Sequence, residues 1–332
     1  MNNIKQEKLL VGNFPYCDFS TIKEAVDFSE KQEKQVPCTI TILEGVYEER
    51  VVIKRSNLTL KGMGNVVLTN ALGAREKDEN GLELGTFRTA TLFVGGIQNM
   101  IENLTVENTA GCGEIAGQAL AVYADCDESV FKKCRFLGYQ DTLFTGPLPP
   151  KQKDGTDFFS PEHKNLKNKY RQYYVDCVIA GSIDFIFGGA TAIFQRCEIR
   201  SRKEKIRSGG YITAASTPKE SKIGFIFQHC WLTAEEGVEQ VYLGRPWRPY
   251  AKTYFVDCEY GQHIHPEGWN DWSNEKNRQT VDYREYFRNE NGYSEGSERA
   301  SWSKQFIQEA DSKEWFAIFE NQFFKNASRN EG

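Results

Sequence analysis

Five short stretches decide the fold: FKKCRF (131–136), YVDCVI (174–179), FQRCEI (194–199), FQHCWL (227–232) and FVDCEY (255–260). Each reads aromatic-x-x-Cys-x-apolar. An earlier copy, IENLTV (101–106), carries Ile101 and Leu104 at the aromatic and cysteine positions. The cysteines are separated by 20 residues (Cys177 to Cys197) to 43 (Cys134 to Cys177). A fixed strand-like pattern at irregular spacing predicts stacked coils joined by loops of variable length, in which no coil buries its apolar face alone. Short strands separated by turns would also suit a β-sandwich, but the recurrence of one pattern favours a solenoid. Cysteine suits its interior as a small, polarisable hydrophobe. Cys134, Cys177, Cys197, Cys230 and Cys258 are therefore expected to pack as an interior column rather than bind metal or pair as disulfides.

Outward from these repeats, the runs TITIL, RVVIK and NLTLKG between Ile40 and Leu68 read as the first coils. Ser20–Lys31 has helical spacing at Ile22, Ala25, Val26 and Ser29, with Asp18 or Ser20 as N-cap, and is expected to cover the open end. Ser312–Phe324 reads as a C-terminal helix. No linker divides the chain, so residues 1–332 are read as a single domain, all-β, with helical or irregular caps.

Composition narrows the function. The net charge of −5 gives no global attraction for nucleic acid or an anionic membrane, and no run approaches the roughly 18 apolar residues of a membrane helix. The first residues hold no apolar run of signal-peptide length, and the nine cysteines are odd in number. Together these lead to an expected cytoplasmic location, with secretion as the alternative if a leader has been removed. His229 reads as a packing residue inside a repeat strand. His263 and His265 lack companions for a metal set, and no G-x-S-x-G, P-loop or HExxH motif is present.

Polar residues inside otherwise apolar strands carry the chemistry. GYQDTLF (138–144) holds Gln140 and Asp141, GSIDFIFGGA (181–190) holds Asp184, and YLGRPWRPY (242–250) holds Arg245 and Trp247. A carboxylate in such a setting needs a partner or a raised pKa. Two carboxylates and one arginine can meet both needs, with one Asp ionised against Arg and the other retaining its proton. That suits a nucleophile with a general acid/base. A buried Asp–Arg pair that merely ties two coils together would show the same residues.

At these positions the sequence resembles the pectin methylesterase family of carbohydrate esterases. The matching segments are GVYEE (45–49), ENLTVENTAG followed by GQALAVYAD, GYQDTL, GSIDFIFGGA and LGRPW, in the family's order, with HPEGWNDW and YREYFRNENGYSEGSERASW beyond them. The resemblance runs from about Val11 to Phe306. It implies a right-handed parallel β-helix that removes methyl esters from galacturonate residues of pectin or methylated oligogalacturonides. It further implies Asp184 as nucleophile, Asp141 as general acid then base, and Gln118 and Gln140 as oxyanion donors. Arg245 would be the partner of Asp184 and Trp247 the sugar platform, with Tyr139 and Phe187 as cleft neighbours. No metal, organic cofactor, nucleic-acid or membrane partner is implied, and a monomer is expected.

One departure is the long connection between Asp141 and Asp184, where 147–169 reads as an external loop projecting from the cleft face. The expected lack of a leader is another. Three other functions compete: a lyase or polygalacturonase on the same fold, an esterase or thioesterase acting on another acyl group, and a non-catalytic carbohydrate-binding solenoid. A calcium-type acidic cluster or a tight Asp group would mark a lyase or polygalacturonase, and neither is visible.

Overall fold

The computed structural model describes residues 7–33, 36–160, 169–286, 299–304 and 324. Its strands pair in parallel and form two sheets, one of sixteen strands and one of seven. Each aromatic-x-x-Cys-x-apolar stretch is two short strands rather than one. In the second copy, Arg171–Val175 ends at Asp176, and Val178–Gly181 begins beyond it. The residue before each cysteine turns the corner with a positive φ: Lys133, Asp176, Arg196, His229 and Asp257, with Asn103 before Leu104. His229 is thus an exposed corner residue and not a packed strand residue as expected. A third strand completes each coil and builds the second sheet: Leu92–Val94, Val122–Ala124, Leu143–Thr145, Ile183–Gly188, Gly210–Ala215 and Val241–Gly244 follow Val51–Ile53 in order. This is a parallel β-helix, and crossovers between parallel strands of one sheet are nearly always right-handed.

The repeat is legible in the core. Phe131, Tyr174, Phe194, Phe227 and Phe255 stack ring on ring, with centroids 4.5–4.6 Å apart. Each such pair contributes about 0.5–1.5 kcal/mol beyond its buried area. The five cysteines are buried beside them. Each thiol also gives its corner a weak donor: Cys177 Sγ donates to the Phe131 carbonyl at 3.3 Å, and Cys230 Sγ to that of Phe194 at 3.2 Å. All nine cysteines are free thiols.

The N-terminal helix is Ile22–Glu30, one turn shorter than its expected span, and its N-cap is Thr21 rather than Asp18 or Ser20. Ile22, Ala25, Val26 and Ser29 are buried. The Glu49 carboxylate accepts from the Ile22 and Lys23 amides at 2.9 and 2.8 Å, satisfying donors that a helix leaves open at its start. Residues 305–323, which hold most of the expected C-terminal helix, lie outside the described residues; Phe324 packs near Val130, Ile193 and Ile226.

Along the second sheet, side chains alternate. Val122, Leu143 and Ile186 join the interior, while Tyr123, Phe144 and Phe187 point outward into a separate aromatic cluster with Phe93 and Leu148. The segment after Gly146 does not simply project from this face. Leu148 is buried in that cluster and Phe158 packs on it, while Lys151 and Asp157 pair at the surface. Residues 161–168, with His163, Lys164 and Lys167, lie outside the described residues.

Candidate active site

The outward cluster floors a cleft of about 1200 Å³ that gathers Gln118, Gln140, Asp141, Asp184, Phe187, Arg245 and Trp247. Four coils supply the polar residues: Gln118, Gln140 with Asp141, and Asp184 come from three successive coils, and Arg245 from the second coil beyond Asp184. Asp184 lies on a β-bulge: Ile183 pairs with Tyr211 and Ile186 with Thr213, so its strand carries one extra residue. Its φ is +50°, and Asp141, one coil earlier, has φ +62°. Two non-glycine residues held in the left-handed region, one above the other, mark a place where packing overrides local preference. The Asp141 amide donates to the Ile183 carbonyl at 3.0 Å, which ties this turn to the bulge.

Asp184 and Asp141 are only 6% and 8% exposed. Arg245 grips Asp184 with two bonds, Nε to Oδ1 at 2.8 Å and Nη2 to Oδ2 at 2.7 Å. Burial pushes the Asp184 carboxyl above its ordinary range, while the bonds and charge of Arg245, and the charge of Lys153, pull it back. Among the described residues, Asp141 has no such partner. Burial drives it well above the carboxylate range, the neighbouring Asp184 charge adds to this, and Arg245 opposes it. The environments therefore separate the two acids, one gripped by a cation and one tending to keep its proton.

Gln118 and Gln140 line the same cleft, and among the described residues neither side-chain amide is engaged by the protein. Gln140 is crowded from behind by Gly113, where a Cβ would lie 2.6 Å from its Oε1. The arrangement leaves two amide donors free within the cleft that holds Asp184. Trp247 and Phe187 pack edge to face, centroids 5.6 Å apart, on the cleft wall.

Tyr139 departs from its expected place. Its ring lies under Arg202, 4.0 Å from the guanidinium carbon, and its hydroxyl accepts from Arg202 at 3.0 Å. It lines a separate groove with Arg135 and Arg200, because it precedes the turn that aims Gln140 and Asp141 into the cleft. Sequence reasoning also missed several residues around Arg245 and the cleft. Trp272 and Tyr211 stack on Arg245, with ring centroids 3.8 and 3.7 Å from its guanidinium carbon. Phe87, Lys153, Phe158 and Arg248 also line the cleft. Trp272 stood inside the quoted HPEGWNDW segment, whereas Tyr211 carries no local signal.

Among the described residues, Cys112, Glu114 and Glu204 bring possible metal ligands together. Their carboxylates already serve the backbone: Glu204 accepts from the Gly113 amide at 3.1 Å and from the Ser182 hydroxyl, and Glu114 from the Ile206 and Arg207 amides.

Known proteins share this fold and family. The family model described as Pectinesterase matches residues 8–148 and 166–326. "Probable pectinesterase/pectinesterase inhibitor 64" of Arabidopsis thaliana is 35% identical over 309 residues, covering 87% of this chain and 46% of its own length. The chain thus spans less than half of that relative. Among solved structures, a pectin methylesterase from carrot superposes with a TM-score of 0.76 at 26% identity, covering 97% of this chain and 94% of its own. A pectin methylesterase from Aspergillus niger does so with a TM-score of 0.70 at 30% identity, covering 90% of each chain. These folds are right-handed parallel β-helices, as expected for this one. The expected cytoplasmic location conflicts with the plant pectinesterases to which the chain is similar and does not stand.

Proposed function

Because the chain belongs to the pectinesterase family, we propose that it hydrolyses methyl esters of galacturonate residues in pectin or methylated oligogalacturonides, releasing methanol. One observation carries the reading: a buried carboxylate gripped at both oxygens by Arg245 lies beside a second carboxyl that favours its protonated form. In this reading an Asp184 oxygen attacks the ester carbonyl carbon. The carbonyl oxygen takes the negative charge, and the side-chain amides of Gln118 and Gln140 donate to it. As the intermediate collapses, the bond to the methoxy oxygen breaks and Asp141 gives that oxygen its proton, so methanol leaves. The product is an acyl-enzyme, an anhydride between Asp184 and the uronate. Asp141, now ionised, takes a proton from water, which attacks the anhydride. Water adds at the uronate carbonyl carbon, the bond from that carbon to the Asp184 oxygen breaks, and the uronic acid leaves and gives its remaining proton to solvent, which restores the Asp184 carboxylate and the proton on Asp141.

Arg245 keeps Asp184 ionised and oriented between turnovers. Trp247 offers its indole face to a sugar ring, and Phe187 supports that wall. The test uses methylated oligogalacturonides of defined length and follows methanol, reducing ends and unsaturated products together. Methanol alone is expected. Chain cleavage without methanol release would replace the reading with a lyase or glycosidase. Methanol from simple acyl esters but none from uronate esters would replace it with another esterase.

A further inference from the structure

The catalytic arginine stands in a longer stack. Tyr242 lies 5.5 Å from Tyr211, nearly parallel, and Tyr211 lies against Arg245. Arg245 lies against Trp272, and Lys153 Nζ sits 4.0 Å from the centroid of that same indole. Lys153 belongs to the segment 149–165, which falls between the two stretches matched by the family model. Its described residues, 149–160, are moored here. Arg248 donates to the Lys151 carbonyl at 2.8 Å and to the Trp247 carbonyl at 2.9 Å, and Phe158 packs against Trp247 at 5.8 Å. The inserted chain therefore folds back onto the residues that hold the nucleophile.

Resting on the proposed reading, we propose that Lys153 and Trp272 are positioning residues for the nucleophile: the inserted segment seats Lys153 on the Trp272 indole, and that ring, with Tyr211 opposing it, fixes the plane of Arg245 against Asp184. A guanidinium stacked on aromatic faces keeps its edge free for in-plane bonds. The two bonds to Asp184 come from that edge. Lys153 adds a second positive charge that favours the ionised nucleophile. Among the described residues, the charged and titratable groups around Asp184 are Arg245, Lys153 and Asp141, with Tyr283 feeling its charge through the core.

The test compares Trp272→Leu, Trp272→Phe, Lys153→Met and Lys153→Arg with the unaltered chain. It measures kcat and KM against pH and, independently of any substrate, titrates the Asp184 carboxyl by carbon NMR. Trp272→Leu is expected to lower kcat about tenfold or more and to move both the acid limb and the Asp184 titration to higher pH; Trp272→Phe restores most of both. Lys153→Met is expected to move the titration in the same direction, and Lys153→Arg to return it. A rise in KM with an unmoved Asp184 titration in Trp272→Leu and Lys153→Met would make both residues substrate contacts and overturn the proposal. If the unaltered chain released no methanol while the titration still moved as described, the proposed function would fall and the positioning stack would stand.

Discussion

Replacing Arg245 with Met removes the charge that holds Asp184 while keeping a flexible side chain to fill the gap between Tyr211 and Trp272. Asp184 and Arg245 are both largely buried, with side chains 9% and 17% exposed, so solvent cannot replace the lost partner. Stranding one member of a buried pair costs about 3–5 kcal/mol. At about 2 °C per kcal/mol for a chain of this length, Tm should fall by roughly 6–10 °C near neutral pH. The loss depends on pH. Without Arg245 the folded carboxyl moves further up, while the unfolded one stays near its ordinary value of about 3.9. Below that value both states hold the proton and little stability is lost. As pH rises toward the raised folded pKa the unfolded chain releases its proton first, and stability falls. The Tm gap should therefore be smallest near pH 4 and widest near pH 8. The same 3–5 kcal/mol disfavours the ionised nucleophile, so kcat/KM at neutral pH should drop at least roughly 10²-fold, with partial recovery in alkaline buffer. Calorimetry across pH and methanol release measure both. A Tm gap independent of pH, or an acid limb that does not move, would refute the assignment of Arg245 as the charge that keeps Asp184 ionised.

Asp141→Asn should have the opposite effect on stability. Its carboxyl lies well above the ordinary range, so the native state is penalised as pH rises above about 4; the amide removes that penalty, and the variant's Tm should exceed that of the unaltered chain by a margin that grows with pH. Its kcat should fall by about 10²–10⁴; a variant less stable at every pH would contradict the account. Gln118→Ala and Gln140→Ala should each lower kcat roughly 10²–10³-fold with less change in KM, and an effect confined to KM would make them binding residues. The column cysteines should react slowly with thiol reagents in the native protein and fast after denaturation. Cys197→Ala should cost about 1–2 kcal/mol without altering kcat, and rapid native labelling would contradict the interior column.

The coil repeat was legible because its signal is local: aromatic and cysteine return at fixed spacing, and the structure stacks them. The left-handed corner was not. Asn103, Asp176 and Asp257 are residue types that tolerate a positive φ, but Lys133, Arg196 and His229 fill the same corner and hide the pattern. This is why two strands read as one. The polar residues meeting in the cleft were legible because Asp141, Asp184 and Arg245 interrupt apolar strands. Tyr139 and Gln140 are adjacent, and only the turn after Gly138 decides which faces the cleft. The stack on Arg245 depends on register and loop path. Tyr211 reaches it through pairing with Ile183, and Lys153 through a segment whose sequence read as an external loop projecting from the cleft face. Leu148 and Phe158 were the overlooked cue, since apolar residues in a charged insertion give it something to bury.

The account turns on Asp184 as the attacking atom's owner. The most direct measurement is methanol release from a methylated oligogalacturonide by Asp184→Asn, after circular dichroism and a cooperative melt show that the protein is folded. An amide nitrogen and carbonyl cannot form the anhydride, so activity should fall at least about 10³-fold at every pH, beyond the effect of a lost contact. A folded Asp184→Asn protein that still releases methanol within tenfold of the unaltered chain would contradict the central claim.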